Sequence, residues 1–159
     1  MNYMSEDSTH TRLFEPLPPV GTRASRSRTI SEGDVMIFAG LSGDLNPLHL
    51  DATFAAQSIF GERIAHGMLI AALISALLGN DLPGQGSIYL GQTLKFLAPV
   101  HLADTVTVSA EVIALREEKR LVTLRTDCVN QNGTLVVTGE AIIKYMRKLP
   151  VPYSGGGKD

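Results

Sequence analysis

Residues 67–79, GMLIAALISALLG, are apolar on nearly all sides, with only Ser75 interrupting. A helix of that composition offers no polar face to water, so it must be surrounded by protein. The run is shorter than the ~20 residues needed to cross a bilayer, which makes it a buried helix of a soluble protein rather than a membrane span. The rest of the chain has to supply the enclosure. After Gly86 the apolar period switches to two: SIYLGQTLKFL, TVTVSAEVIAL, RLVTLRTDCVN and TLVVTGEAIIKYM each alternate. In the second, Val106, Val108, Ala110 and Val112 line one face. Pro99 with Asp104, then REEKR, then NQNG mark the turns between them. One buried helix followed by four consecutive antiparallel strands predicts an α+β layer arrangement, a sheet wrapped around the helix. An open sheet with long apolar strands also favours dimerisation along an edge.

The segments upstream read as shorter elements. TRASRSRTI, 22–30, alternates weakly, as a polar strand would. Ser31 caps a predicted helix whose first turn carries acidic residues, where the helix dipole favours them. Asn46 is placed as an N-cap with Pro47 at the first helical position, and Asp51 as the cap of a further turn through Phe54 and Ala55. Residues 1–19 hold few large apolar side chains and end in EPLPP, so they are expected to form a flexible arm. Residues 150–159 are expected to be a flexible Gly-rich tail, leaving one folded domain over 20–149. A chain of 159 residues fits one such domain and is long enough to fold without a disulfide or metal staple.

Charge and cysteine usage remove other classes. The formal net charge of -2 lacks the basic footprint of a nucleic-acid binder. The single cysteine, Cys128, cannot form an internal disulfide, which fits a reducing cytosol. The opening MNYMSEDSTH is polar and acidic, so no secretory signal is expected and the location is expected to be cytoplasmic.

The stretch that carries chemistry is GLSGDLNPLHLD, 40–51. Asp44 and His49 would fall on different faces of a regular helix, but Pro47 biases Asn46 away from helical angles and turns the chain between them. A carboxylate before a turn and an imidazole just inside the next helical start can then converge on one point. The helix start should disfavour the cationic imidazole, and a neutral imidazole suits a general base. The plainer reading makes these residues ordinary turn, cap and structural groups. At the entry to the buried helix, Gly67 permits close backbone approach and has a free N–H that could serve as an oxyanion donor, or it simply packs tightly. His66 reads as a local hydrogen-bonding residue. Ser75 could bond back to its own helix, point at a substrate carbonyl or orient His49. His10, His66, His101 and Cys128 make no ligand cluster in the sequence, so no metal is expected.

SGDLNPLHLD followed by IAHGMLIAALISALLG resembles the MaoC-like, R-specific enoyl-CoA hydratase (hydratase 2) family. The likeness continues through GSIYLGQTLKFLAPVHLADTVTV and VTGEAIIKY, and so covers residues 20–147. D-x-N-P-x-H is specific when a buried HGM helix and Q-x-L-x-F-x-x-P-V follow it. The resemblance is nearest to the short, single-domain hydratases that feed polyhydroxyalkanoate synthesis. It implies a hot-dog fold, an antiparallel sheet wrapped around a long central helix, with two copies forming a homodimer. It implies that Asp44 and His49 are catalytic, that the Gly67 N–H meets the thioester carbonyl, and that Asn46 shapes the turn. It also puts Ser75 among the active-site hydrogen bonds or pocket lining. The implied reaction is reversible syn addition of water to a trans-2-enoyl-CoA, giving the (R)-3-hydroxyacyl-CoA. No cofactor is implied, since coenzyme A is part of the substrate.

On that resemblance Leu69, Leu73 and Leu78 are assigned to the acyl pocket, with plain core packing as the alternative. Arg63 and Lys95 are assigned to the coenzyme A phosphates, with solvated surface charge as the alternative. Competing readings within the fold are a 3-hydroxyacyl-acyl-carrier-protein dehydratase and a thioesterase. The second commonly needs a carboxylate on the central helix, and none lies between Gly67 and Gly79. A non-catalytic acyl-CoA-binding hot-dog protein would have no need of both Asp44 and His49.

Overall fold

The computed structural model describes residues 14–149. The tail over 150–159 and most of the arm over 1–19 therefore lie outside the described residues. The part of the arm that is described is tied down. Phe14 bridges to Lys148, Glu15 N–H donates to the Arg147 carbonyl at 2.9 Å, and Arg120 donates to the Glu15 carbonyl at 2.6 Å.

The chain runs through β1 (Arg23–Thr29), α1 (Glu32–Ser42), α2 (Pro47–Leu50), α3 (Ala52–Ala56) and α4 (Gly67–Asn80). It continues through β2 (Ser87–Gln92), β3 (Lys95–Phe96), β4 (Thr105–Arg116), β5 (Leu121–Val129) and β6 (Leu135–Tyr145). All strand pairs are antiparallel, in the order β1-β4-β5-β6-β2, with β3 also pairing on β6. α1 starts where its cap predicts: Asp34 N–H donates to Ser31 Oγ at 3.1 Å and Ser31 N–H to Asp34 Oδ2 at 2.9 Å, a capping box.

Period two is what lets one sheet face grip the helix. Val106, Val108, Ala110 and Val112 of β4 all point inward and are buried, as do Val122, Leu124 and Cys128 of β5. Burial pushes the Cys128 thiol up to about 12, so it stays an unreactive core group. Against them α4 sets Ile70, Ile74, Leu77 and Leu78, all fully buried. Each such side chain removed from water contributes about 1.5–3 kcal/mol.

Two expectations change here. The first period-two segment is divided into β2 and β3 at Thr93 and Leu94, although Gln92 opposite Ala141 and Lys95 opposite Thr138 keep one register on β6 and Thr93 N–H still donates to the Glu140 carbonyl at 2.9 Å. The close approach of the two strands there requires glycine on β6: a Cβ on Gly139 would lie 1.8 Å from the Thr93 carbonyl oxygen. Gln92 locks it, its Nε2 donating to the Thr93 carbonyl at 2.8 Å and to the buried Thr126 hydroxyl at 3.0 Å. The second change concerns α4, which one copy of the sheet does not fully surround. Met68, Ala72, Ser75 and Gly79 form an exposed stripe at helical spacing, and Met68 is 57% exposed. Among the described residues, no helix is long and apolar enough to cross a membrane.

Candidate active site

The polypeptide before α4 is built from local hydrogen bonds. Gly43, at φ 76°, ends α1 in the left-handed conformation that glycine adopts without a steric penalty. Asp44 N–H then donates to Ser42 Oγ at 3.2 Å, and Asn46 N–H to Asp44 Oδ1 at 3.2 Å. Asn46 Oδ1 in turn accepts from Leu48 N–H at 3.0 Å, with Pro47 in the first turn of α2, as its type predicts. Asp51 caps α3 through the N–H groups of Thr53 and Phe54. These bonds bend the chain so that Asp44 stays exposed at the turn while His49 is buried.

His49 is oriented by a partner from further along the chain. Its Nδ1 lies 2.8 Å from the Ile64 carbonyl, which can only accept, so Nδ1 carries the hydrogen and Nε2 is left with a free lone pair. Ile64 is itself pinned, through a bridge to His101 and the neighbouring Ala65 N–H donating to the Val100 carbonyl at 2.7 Å. The expected influence of a helix start on His49 has little to act on, since α2 is a single turn and His49 sits in its last residues. The carbonyl of Ile64 sets the ring instead.

His66, immediately before α4, completes the cluster. Its Nε2 lies 3.0 Å from the Asp44 carbonyl oxygen, and its ring stacks on His49 at 3.8 Å between centroids. One polar atom from each of Asp44, His49 and His66 lies within 4.8 Å of the others. Stacked rings carry their in-plane lone pairs side by side, and one nitrogen of each is already turned to a carbonyl. That favours proton handling by this set over gripping an ion.

These groups open onto a cavity of about 520 Å³. Gly67 lies on its wall, and the N–H groups of Gly67 and Met68 meet no acceptor among the described residues. A Cβ at Gly67 would stand 2.8 Å from the Phe96 ring, so only glycine lets the ring lie against the first turn of α4. The apolar walls come from Phe60, Ile64, Ile70, Phe96, Leu97 and Val137.

The structure therefore brings together Asp44, His49 and Gly67 on the cavity, leaves Asn46 exposed in the turn beside Asp44 as the cap of α2, and separates them from other residues assigned to the site. Leu69, Leu73 and Leu78 do not line this cavity. Leu78 is buried in the core, while Leu69 and Leu73 are partly buried against it, because their positions on α4 turn them away from the wall. Ser75 lies two turns along α4 on the exposed stripe, away from His49's cavity. Arg63 is engaged by Glu32 at 2.8 Å, and Lys95 is exposed on β3 beside Phe96. His101 faces Glu62 at 3.1 Å, and His10 lies outside the described residues. Phe60, Phe96 and Val137 escape notice in the sequence. Phe96 alone had a signal there, as the aromatic of Q-x-L-x-F.

An antiparallel sheet wrapped around one helix, with its polar groups gathered at the helix start, defines a hot-dog fold. The chain belongs to the MaoC-like domain family, whose model matches residues 16–133. It is 54% identical over 125 residues to an (R)-specific enoyl-CoA hydratase of Aeromonas caviae, covering 79% of this chain and 93% of that one. It is 49% identical over 140 residues to an (R)-specific enoyl-CoA hydratase of Rhodospirillum rubrum, covering 88% and 96%. Among solved structures, an (R)-hydratase from A. caviae involved in PHA biosynthesis superposes with a TM-score of 0.79 at 52% identity, covering 80% of this chain and 97% of that chain.

Proposed function

We propose that the protein is an (R)-specific enoyl-CoA hydratase, a hydro-lyase that reversibly adds water to a trans-2-enoyl-CoA. The observation that carries this reading is the convergence of Asp44, the free Nε2 of His49 and a Gly67 N–H that meets no acceptor among the described residues on one apolar-walled cavity. The relatives that share about half its residues over nearly their full length carry that activity in their names.

Water is too weakly acidic to attack an alkene unaided, so a positioned base must take its proton. The free Nε2 of His49 and the Asp44 carboxylate hold the water between them over C3. As the oxygen bonds to C3, the alkene electrons move through C2 onto the thioester oxygen. The Gly67 N–H, at the positive end of α4, stabilises the enolate that forms; one such donor is typically worth about 3–4 kcal/mol. The enolate collapses, and C2 takes a proton from the same side, giving syn addition and the (R)-3-hydroxyacyl-CoA. Either Asp44 or His49 can take the proton from water and return it to C2, so the two act as one acid–base unit. No cofactor enters this scheme, because coenzyme A is part of the substrate. Lys95 beside Phe96, and Arg63 beside Ile64 once released from Glu32, are the cations we assign to its phosphates.

The same reading makes the protein a homodimer. Ile88, Tyr89 and Leu90 stand exposed along edge strand β2, which packs on α4 near the stripe of Met68, Ala72, Ser75 and Gly79. A second copy would cover both, and Ser75 then belongs to the interface.

The test mixes purified protein with crotonyl-CoA and follows loss of the enoyl-thioester absorbance, with chiral analysis of the product. Activity that drops by about 100- to 10,000-fold in Asp44→Ala and His49→Ala supports the assignment. Absence of turnover, or undiminished turnover in both variants, sinks it. Faster turnover of the carrier-protein-bound enoyl substrate would move the enzyme to the acyl-carrier-protein dehydratases.

A further inference from the structure

His66 is the one member of the polar cluster that the proposed proton transfer leaves without a task. Its ring is 2% exposed, sandwiched between Phe38 at 5.0 Å and His49 at 3.8 Å. An aromatic hydrocarbon would fill that slot without carrying a buried ring nitrogen, Nδ1, that has no hydrogen-bond partner. What the imidazole adds is one hydrogen bond. The Asp44 carbonyl can only accept, so His66 Nε2, 3.0 Å away, carries the hydrogen and donates it. His66 therefore touches both halves of the acid–base pair: the backbone of Asp44 through its edge and the ring of His49 through its face.

We propose that His66 is a positioning residue that clamps Asp44 and His49 together. The clamp rests on the hydratase reading for its catalytic consequence but not for its geometry. Asp44 sits in an exposed turn held only by short local bonds, so a tie from the rigid start of α4 is what relates its backbone to the cavity. Its ring face lies 3.8 Å from the ring of His49 and limits how that ring can tilt.

Two variants separate the two contacts. His66→Phe keeps the ring stack and loses the N–H; His66→Gln places a donor at a similar reach and loses the stack. Each is expected to lower kcat on crotonyl-CoA by about 10- to 100-fold. KM should stay within about threefold of wild type, because His66 orients groups that act in the transition state. His66→Gln should also recover part of the loss seen in His66→Ala. Folded variants with wild-type kcat, or with the whole loss in KM, would overturn the proposal. If the variants do not fold, nitrogen NMR of the wild-type imidazoles still decides: neutral His66 must carry its hydrogen on Nε2, and the Nδ1–H tautomer overturns the clamp. Wild-type protein inactive on enoyl-CoA would instead remove the hydratase reading, leaving the NMR result to judge the clamp by itself.

Discussion

The turn that carries Asp44 and His49 and the helix that follows it are held by different forces. Between Ser42 and Asp51 the chain is fastened by side chains bonding to backbone N–H groups two or three residues away, and most of it is exposed. From Gly67 to Asn80 almost nothing polar is involved: Ile70, Ile74, Leu77 and Leu78 are held by burial in the core they share with β4, β5 and β6. The first arrangement aims polar atoms at a cavity at little thermodynamic cost. The second provides the rigid wall at which they are aimed. Activity and stability should therefore respond to substitutions in different places.

The largest effect expected is on activity alone. Asp44→Asn keeps the Oδ1 that accepts from Asn46 N–H but removes the carboxylate, so kcat should fall by about 100- to 10,000-fold. Thermal unfolding should show a midpoint close to wild type; a large drop would mean the turn contributes to the core after all. Leu77→Ala is the opposite experiment. It removes a fully buried side chain and should cost about 2–5 kcal/mol in denaturant unfolding, with the folded fraction keeping its turnover.

Gly67→Ala tests the junction of the two regions. The new methyl must push the Phe96 ring aside, which should cost about 1–3 kcal/mol and lower activity by disturbing the cavity wall. Unchanged turnover would mean that Phe96 does not shape the site. Asn46→Ala removes the cap of α2, worth about 1 kcal/mol, and should reduce kcat out of proportion to that small loss.

The smallest effect is tied to pH. Hydrogen bonds from the Ser31 backbone and hydroxyl, aided by Arg28, hold the Asp34 carboxyl below the usual carboxylate range. A carboxylate lowered by folding stabilises the native state above its unfolded value near ~3.9 and loses that contribution as pH falls through the folded value. Wild type should thus unfold at a higher temperature than Asp34→Asn at neutral pH, and the gap should close on acidification below about pH 4. A gap that does not change with pH would contradict a charged cap.

Much of the site's scaffold was legible because it is local. Ser31, Asn46 and Asp51 cap through bonds to residues two or three positions on, so their roles are written in adjacent letters. Asp44 and His49 could be paired for the same reason. The sequence reads His66 as a local hydrogen-bonding residue, but its partners lie 22 and 17 positions away, a backbone oxygen and a ring face that no local pattern announces. Leu73 and Leu78 look like any pocket leucine in a string of apolar letters; only their angle around α4 separates cavity from core. The break at Thr93 was equally invisible, since it follows from the missing side chain at Gly139 on another strand.

The amino-acid sequence by itself determined that one apolar helix must be enclosed by alternating strands, where the helices begin, and which carboxylate and imidazole flank a proline turn. Periodicity and capping depend on neighbours along the chain, so the chain alone can express them. Tertiary structure alone decided that Ile64 orients His49, that His66 joins Asp44 to it, and that Phe96 lies against Gly67. It also left one stripe of α4 open to the outside. Those outcomes depend on which groups meet when distant segments pack, and packing is settled by the shape of the whole core.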